Sequence, residues 1–253
     1  QIDLIYSVPV RTGEIRFKCV SETTRIRARE MLRREPDTLE WIDSFNDSEI
    51  LWDIGANIGV FSLYAAKVSG TKVWAFDPLP QNYMNLVENL TINGLNHMIT
   101  PLCVAISDKG SMDCLHIGQD SFTSGGAGCT FGINEDNYGK PIKTFVEHTT
   151  IGYSVDELIS QFNLPVPNHL KVDIDGIQES VVLGAKSTLQ DPRLRSVMIE
   201  LQPNNIKPAK ESNDIIISEL EAAGFSCLNV VGSTPNVTPD REVSPTNNFF
   251  YRK

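Results

Sequence analysis

The stretch Ile50-Leu51-Trp52-Asp53-Ile54-Gly55-Ala56-Asn57-Ile58-Gly59, followed by the apolar run 60–68, decides the fold. Its first five residues are typical of a short buried strand, and the run after it is typical of a helix that ends at Ser69-Gly70. The glycines between them permit a tight turn and let a ligand approach the backbone closely. The first turn of the helix offers N–H groups that have no partner within the helix. Doubly wound sheets hold adenosine-containing cofactors at turns of this kind.

Around this turn the chain alternates between strand and helix patterns, which predicts βαβ units and a parallel sheet. We predict further strands at residues 72–76, 100–106, 169–174, 196–201, 225–231 and 248–252. We predict further helices at residues 80–93, 154–162, 179–189 and 213–223. The expected fold class is therefore α/β, with a doubly wound, mostly parallel, Rossmann-like sheet.

Residues 1–49 do not share this alternation and are expected to form a short N-terminal appendage to a cofactor-binding domain at residues 50–253. A strand is predicted at residues 15–20 and a helix at residues 24–34. The helix carries five arginines: Arg25, Arg27, Arg29, Arg33 and Arg34. The favoured interpretation is a solvated helix face, and the alternative is a lid or a docking surface for an anionic substrate or partner.

The charge of the chain limits its partners. The 253 residues have a net charge of −10, from 22 Lys/Arg and 32 Asp/Glu. Eight of the basic residues and only five of the acidic ones lie in the first 35 residues, so the acidity belongs to the rest of the chain. Because an acidic surface repels phosphate backbones, nucleic acid is not expected as a partner.

Targeting and metal-binding patterns are missing from the sequence. No run approaches the ~18–20 apolar residues of a membrane span, and no signal-peptide pattern is visible. A cytoplasmic protein that does not engage membranes is therefore expected. The five cysteines and four histidines are scattered, without C-x-x-C or H-x-x-x-H spacing. Neither a disulfide framework nor a zinc site is predicted.

Asp77 strengthens the prediction of a cofactor site. It follows the strand predicted at residues 72–76 and lies 24 residues after Asp53. A carboxylate at this place can accept hydrogen bonds from two ribose hydroxyls. The turn reads D-x-G-x-N-x-G, whereas a dinucleotide site favours G-x-G-x-x-G. Asp53 suits a cationic, amino-bearing ligand better than a pyrophosphate, so S-adenosylmethionine is preferred over NAD; the structural alternative for Asp53 is a helix N-cap.

A second group of charged residues follows the strand predicted at residues 169–174. Lys171, Asp173 and Asp175 alternate along the chain, so they share one side if the strand continues that far. Glu200 ends the next strand and is a further candidate base or substrate ligand. We predict carboxylates that act as a general base or orient a substrate. A divalent metal held by Asp173 and Asp175 is an alternative, and so is a structural Lys–Asp pair with a helix cap at Asp175.

These segments together resemble the FkbM-type family of class I S-adenosylmethionine-dependent methyltransferases. The resemblance is carried by residues 50–59, 75–78, 104–110, 169–185 and 197–201. The pattern K-x-D-x-[ED]-G, followed by a helix that reaches Gly184-Ala185, is its more specific part. It implies a seven-stranded sheet whose strand 248–252 is antiparallel, and O-methylation of a hydroxyl on a sugar, glycan or small metabolite.

The resemblance also implies roles for individual residues. The methionine part of the cofactor would be held by Asp53, Gly55, Asn57 and Gly59. The ribose would be held by Asp77, and the adenine would be flanked by Ile106, Ser107 and Asp108. The methyl-transfer site would be faced by Asp173 and Lys171. The sequence departs from the family pattern at Gln178, where an acidic residue is usual, and at Asp77 and Asp175, where Glu is common.

Two other functions are considered. An N-methyltransferase acting on nucleic acid would carry a [DN]-P-P-[YF] motif after the fourth strand, and that motif is missing. A non-catalytic module of a larger assembly could keep the same fold. Residues 118–150 are expected to form a long loop or a small inserted β element. This segment and the loop at residues 232–246 are expected to shape the acceptor site.

Overall fold

The computed structural model describes residues 4–135, 139–201, 207–232 and 247–253. The strands are β1 (Leu4–Val10), β2 (Gly13–Cys19), β3 (Ile50–Ile54), β4 (Lys72–Phe76), β5 (Ile99–Leu102), β6 (Ala105–Ile106), β7 (Ser111–Gly118), β8 (Cys129–Phe131), β9 (Thr144–Tyr153), β10 (His169–Val172), β11 (Ser196–Leu201), β12 (Ser226–Gly232) and β13 (Asn247–Arg252). The helices are α1 (Glu22–Arg34), α2 (Pro36–Asp43), α3 (Val60–Tyr64), α4 (Pro80–Ile92), α5 (Val155–Phe162), α6 (Gln178–Leu183), α7 (Lys186–Gln190) and α8 (Lys207–Ala222). A π-helical turn, Ala65–Ser69, continues α3.

A seven-stranded sheet forms the centre of the molecule, in the order β12-β13-β11-β10-β3-β4-β5. All of its strands run parallel except β13, which is antiparallel to both neighbours. The predicted fold class and the antiparallel strand are thus confirmed. The chain leaves β3 towards β4 and β5 and later returns to β10 on the other side, so the strand order switches between β3 and β10. Ligands of doubly wound sheets bind outside the carboxyl ends of the strands at such a switch point.

Helices cover both faces of this sheet, so successive strand residues enter two different cores. Leu51 of β3 lies in the core shared with α1, α2, α3 and α4. Its neighbour Trp52 lies in the core on the other face, shared with α5, α6, α7 and α8. Both side chains are fully buried. Burial on both faces explains why the strands read as continuous apolar runs rather than as an alternation.

The N-terminal segment packs into the first of these cores. β1 and β2 form an antiparallel hairpin, and its Ile15 and Phe17 are fully buried in the same cluster as Leu51. Trp41 of α2 donates from Nε1 to Ser196 Oγ of β11 at 2.9 Å. The division of the chain at residue 49 stays a prediction, but residues 4–45 share their core with the sheet.

A second sheet, in the order β6-β9-β7-β8, lies between β5 and α5 along the chain. Its strands β8 and β9 come from the segment predicted as a long loop or inserted β element at residues 118–150. The strand predicted at residues 100–106 is divided between the two sheets, because the chain leaves the main sheet after Leu102 and β6 pairs with β9 instead. Leu115, Ile117 and Phe131 of the second sheet pack against Ile177 beside α6.

Two helices differ from their predicted bounds. The helix predicted at residues 179–189 is interrupted at Gly184, where a Cβ would lie 2.2 Å from Ser107 O. Close packing against this carbonyl therefore requires glycine. α8 begins at Lys207, earlier than predicted. Ser154 and Glu157 form a capping box at the start of α5, with both of its hydrogen bonds present.

Most of the loop predicted to shape the acceptor site at residues 232–246 lies outside the described residues. In the part of the chain that the structure does describe, no helix combines the length and the apolar character needed to cross a membrane.

Candidate active site

A cavity of about 280 Å³ lies at the carboxyl ends of β3, β4 and β10. Its floor is the glycine turn after β3, and its walls come from the second sheet, from helix α1 and from the ends of β10 and β11. Among the residues that line it are Gly55, Asn57, Asp77, Ile106, Asp173, Asp175 and Glu200, all predicted as site residues. The register explains why they meet: β3 and β10 are neighbours, with Lys171 paired to Asp53 and Val172 to Ile54.

The glycine turn is shaped by the close approach of the chain that leaves β10. Gly55 has φ +84°, and a Cβ at this position would lie 1.9 Å from Asp173 O. The N–H groups of Gly55 and Ala56 both donate to Phe76 O, at 2.9 and 3.0 Å. Asn57 also takes a left-handed backbone, with φ +52°. Gly55 is thus required both by its conformation and by its lack of a side chain.

Gly59 has a different environment from Gly55. It precedes α3 with φ +88°, and a Cβ there would lie 2.4 Å from Leu86 Cδ1. It does not line the cavity. The structure therefore places this predicted cofactor-binding residue at the packing contact between α3 and α4, where a larger residue would push α4 away.

Asp53 and Lys171 form an ion pair beneath the cavity floor. Lys171 Nζ lies 3.3 Å from Asp53 Oδ1 and 2.9 Å from Asp173 Oδ2, and the exposed fractions of the Asp53 and Lys171 side chains are 0% and 1%. Ser62 Oγ donates to Asp53 Oδ2 at 2.6 Å. Lys171 Nζ also lies 4.8 Å from the centre of the Phe61 ring. Neither charged group of this pair lines the cavity.

The charge state of Lys171 follows from its neighbours. Burial acts to lower the pKa of Lys171, but the negative charges of Asp173, Asp53 and Glu35 outweigh it and raise the pKa above its ordinary value. The ammonium therefore stays protonated and cannot serve as a base. Lys171 is placed to hold the Asp173 carboxylate through their ion pair. The family resemblance implied instead that Lys171 would face the methyl-transfer site.

Asp173 is the member of this group that reaches the cavity, with 31% of its side chain exposed. Burial acts to raise its pKa, but the charge of Lys171 and hydrogen bonds from Lys171 and Glu200 hold the pKa below its ordinary value. Two ionised carboxylates cannot hydrogen-bond to each other, so the contact between Asp173 and Glu200 needs one proton.

Glu35 is a third carboxyl group on this wall, and the sequence did not identify it as a site residue. It joins α1 to α2, and its Oε2 accepts hydrogen bonds from Thr38 Oγ1 at 3.1 Å and Asn248 Nδ2 at 3.0 Å. Burial raises the pKa of Glu35, and the negative charge of Asp173 raises it further. The available signal was Pro36, because a residue before proline is kept out of the helical conformation and marks a break in the chain.

The basic helix α1 contributes more than a solvated face. Arg25 pairs with Glu22, and Arg29 pairs with Glu30, at the surface. Arg27 and Arg34 instead line the cavity. Arg27 Nε donates to Gly125 O at 2.6 Å, which ties α1 to the loop before β8. The helix is therefore not solvated on every face, because Arg27 and Arg34 belong to the cavity wall. A role as a lid or docking surface stays a prediction.

Asp77 lies at the end of β4, as predicted, and is 5% exposed. Its Oδ1 accepts from the N–H of Leu79 at 2.9 Å, and its Oδ2 accepts from the N–H of Asn57 at 2.8 Å and from Asn82 Nδ2 at 3.3 Å. Burial raises the pKa of Asp77 to about 6, although these hydrogen bonds and Arg27 oppose the shift. The carboxyl group is thus held in one orientation at the cavity wall.

The loop that contains Gly125 and Gly126 closes one side of the cavity. Asn57 Nδ2 donates to Gly126 O at 2.8 Å, and Gly125 N–H donates to Asn82 Oδ1 at 2.8 Å. Gly128 N–H donates to Asp175 Oδ2 at 2.5 Å. Asp175 therefore anchors this loop. In the described ranges, Asp173 and Asp175 belong to no set of three Cys, His, Asp or Glu side chains with ligand atoms within 4.8 Å of one another. The metal alternative, which allows other oxygen ligands, stays untested.

Of the three residues predicted to flank an adenine, the cavity lining includes Ile106 but neither Ser107 nor Asp108. Ile106 is buried and lines the cavity beside Leu115 and Phe131 of the second sheet. Ser107 and Asp108 lie beyond this wall: Ser107 O packs against Gly184, and Asp108 is exposed. The apolar wall is therefore built by the second sheet rather than by the turn after β6.

Gln178 has a structural reason to be an amide. Its Nε2 donates to Ile174 O at 2.7 Å and to Glu200 O at 3.4 Å. It therefore joins the turn after β10 to β11. An ionised carboxylate could not donate these bonds, so an acidic residue here would require a different arrangement.

The sheet order, the glycine turn after the central strand and the carboxylate after the next strand define a nucleoside-binding protein of the class I methyltransferase fold. The family profile described as "Methyltransferase FkbM domain" matches residues 53–227. The chain therefore belongs to the FkbM family of class I S-adenosylmethionine-dependent methyltransferases, which confirms the resemblance found in its motifs.

Comparisons with individual proteins agree with this family. The chain is 26% identical over 209 residues to the hexuronic acid methyltransferase AglP of Haloferax volcanii, covering 77% of this chain and 78% of that protein. It is similar in structure to the methyltransferase FkbM of Methylobacillus flagellatus KT, with a TM-score of 0.51 and 18% identity over 90% of this chain. It spans only 54% of that structure.

A third similarity is to the TYW2 protein of Pyrococcus horikoshii, whose crystal structure is a complex with MeSAdo. The TM-score is 0.50 and the identity is 13%, covering 99% of this chain and 71% of that one. At 18% and 13% identity, both structural similarities show the fold alone.

Proposed function

We propose that the protein transfers the methyl group of S-adenosylmethionine to a hydroxyl oxygen of a sugar, glycan or small metabolite, and that a sugar bearing a carboxylate is the first acceptor to test. The observation that carries the proposal is the cavity at the switch point, which has Asp77 on one side and Asp173, Glu200 and Glu35 on another. Family membership and the similarity to the hexuronic acid methyltransferase AglP support it.

The residues present fit this cofactor. Asp77 would accept hydrogen bonds from the ribose hydroxyls. The backbone between Gly55 and Asn57 would face the methionine part, since no Cβ at Gly55 fills the floor. The apolar side chains of Ile106 and Phe131 would contact the adenine. When bound, S-adenosylmethionine supplies an electrophilic methyl group on a sulfonium cation, and the carboxylates of the wall favour a cation.

The carboxyl groups of Asp173, Glu200 and Glu35 would serve the acceptor. As a new carbon–oxygen bond forms and the carbon–sulfur bond breaks, the acceptor hydroxyl must lose its proton. Asp173 is kept ionised by Lys171 and can accept a hydrogen bond from that hydroxyl. Glu35 is the better proton acceptor, because its pKa is raised whereas that of Asp173 is lowered. Asp173 would thus orient the acceptor hydroxyl, and Glu35 would accept its proton.

The function is tested by calorimetry with S-adenosylmethionine, followed by transfer of labelled methyl to uronic acids and to matched neutral sugars. Saturable cofactor binding and label on a sugar are expected. Methyl ethers resist mild base and methyl esters do not, so the stability of the label shows whether a hydroxyl is the acceptor. Failure to bind the cofactor at millimolar concentration would contradict the proposal.

Cofactor binding is expected to weaken as the pH falls below about 6, because burial raises the pKa of Asp77 to about 6. Only the ionised carboxylate offers acceptors for both ribose hydroxyls. Binding therefore favours the ionised form, lowers the pKa of Asp77 and releases a proton just below that pH. Calorimetry in buffers of different ionisation enthalpy measures this release. An Asp77→Asn variant should show no such release, and an unchanged release in that variant would exclude Asp77 as its source.

Arg34→Gln is expected to raise KM for an acidic sugar by about 10–100-fold, since a hydrogen bond to a charged group contributes ~1.5–3 kcal/mol. The reason is that Arg34 lines the cavity beside Glu35. Steady-state kinetics with acidic and neutral acceptors measure the effect. Arg33→Gln is the matched control, because Arg33 is exposed on the same helix and does not line the cavity. Equal KM changes in the two variants, or for both kinds of acceptor, would contradict acidic recognition by Arg34.

A further inference from the structure

The outer face of the second sheet brings together three side chains that the proposed function does not use. Cys114 and His116 are two residues apart on β7, so they point to the same face. The register of β7 with β9 places Glu147 directly opposite His116. The intervening Leu115 points the other way, into the cavity wall. The three side chains therefore lie across the sheet from the candidate active site.

The distances within this group are close to those of a metal centre. His116 Nδ1 lies 3.9 Å from Cys114 Sγ and 3.8 Å from Glu147 Oε1. One ligand atom from each residue lies within 4.8 Å of the other two. Ligand atoms around tetrahedral zinc, with bonds of about 2.0–2.3 Å, are separated by roughly 3.4–3.6 Å. The two shorter contacts thus need to close by only a few tenths of an ångström.

The burial of the group also suits a binding site. The His116 side chain is 14% exposed, whereas Glu147 is 67% exposed and ends a rotatable side chain. His116 and Cys114 are held by the strand, and Glu147 can swing towards them. Within the described residues, Cys114, His116 and Glu147 form the group of three Cys, His, Asp or Glu side chains whose ligand atoms lie close enough to share one ion.

We propose that Cys114, His116 and Glu147 form a binding site for a late first-row divalent metal ion, with Zn²⁺ the preferred ion. A thiolate and an imidazole among the ligands favour zinc-like ions over Ca²⁺ or Mg²⁺, which prefer oxygen ligands. Three protein ligands leave a fourth position for water. The bound ion would link β7 to β9, the two strands that form the middle of the second sheet.

The site has a consequence for stability that does not depend on the proposed methyl transfer. An ion that binds the folded protein stabilises it in proportion to the logarithm of its concentration above the dissociation constant. The sequence did not predict this site, since cysteine, histidine and glutamate come from two strands and match none of the usual spacings.

Titration of the full chain with Zn²⁺, and with Co²⁺ as a spectroscopic probe, tests the proposal. We expect one equivalent of Zn²⁺ to bind, and a sulfur-to-cobalt charge-transfer band that disappears in Cys114→Ser. His116→Ala and Glu147→Gln should each weaken Zn²⁺ binding by at least about tenfold, as loss of even an outer partner usually does.

Two control variants separate a site from general metal binding. His148→Ala removes the histidine next to Glu147 on the opposite face of β9, and Cys227→Ser removes an exposed cysteine elsewhere. Both should bind Zn²⁺ like the unmodified protein. The proposal is overturned if binding is not saturable, if it survives the loss of Cys114 and His116 together, or if the controls weaken it equally.

Discussion

Asp173→Asn is expected to lower the rate of methyl transfer by about 10²-fold, because misplacement of a reacting group by about 1 Å can cost that much. Asp173 lines the cavity, and its Oδ2 lies 2.9 Å from Lys171 Nζ in an ion pair. An amide there keeps the shape but loses the negative charge, so it accepts a weaker hydrogen bond from the acceptor hydroxyl. Lys171 keeps Asp53 as its partner in this variant, so the fold should persist.

Measurement of kcat and of the cofactor dissociation constant separates the outcomes. The rate should fall while the dissociation constant for S-adenosylmethionine changes little. Glu179→Gln is the control, because Glu179 lies at the start of α6 and does not line the cavity. A rate that is unchanged in Asp173→Asn would contradict the orienting role of Asp173. Loss of cofactor binding would instead place Asp173 in the cofactor site.

Lys171→Met is expected to destabilise the protein by about 3–5 kcal/mol, the usual cost of removing one partner from a buried ion pair. Asp53 is fully buried, and it also accepts a hydrogen bond from Ser62 Oγ. Without the ammonium, the Asp53 charge would have no buried counter-charge. Urea unfolding followed by circular dichroism measures the loss of unfolding free energy.

The double variant Asp53→Asn/Lys171→Met is the control for this second prediction. It removes both charges of the buried pair and keeps an acceptor for Ser62 Oγ. Most of the lost stability should return, because the cost lies in the uncompensated charge rather than in packing. If the double variant is as unstable as Lys171→Met, packing of the lysine stem is responsible instead.

The sequence predicted the main sheet well because its signals are local. The boundaries of β3, β4 and β11 match their apolar runs, and Ser154 with Glu157 marks the start of α5. The carboxyl-edge position of Asp77 follows from the end of β4 alone. These features depend on a few neighbouring residues, so their patterns are visible without knowledge of the fold.

The site was predicted less completely because its chemistry depends on pairing between distant segments. Asp53 was expected to hold a ligand, but the register opposite Lys171 buries it in an ion pair. The same register places Lys171 Nζ against Asp173 and outside the lining of the cavity. Glu35 enters the cavity only because α1 and α2 pack on the sheet. No local pattern reports such contacts.

The hydrogen bond between Glu35 and Asn248 joins positions separated by 213 residues. It requires the antiparallel strand β13 to lie between β11 and β12 in the sheet. Contacts of such long sequence separation form late and carry a large loop-closure cost. The half of the cavity that would receive a nucleoside can therefore mature before the half that would receive an acceptor. A nascent or partly folded chain would hold the methyl donor without the means to use it.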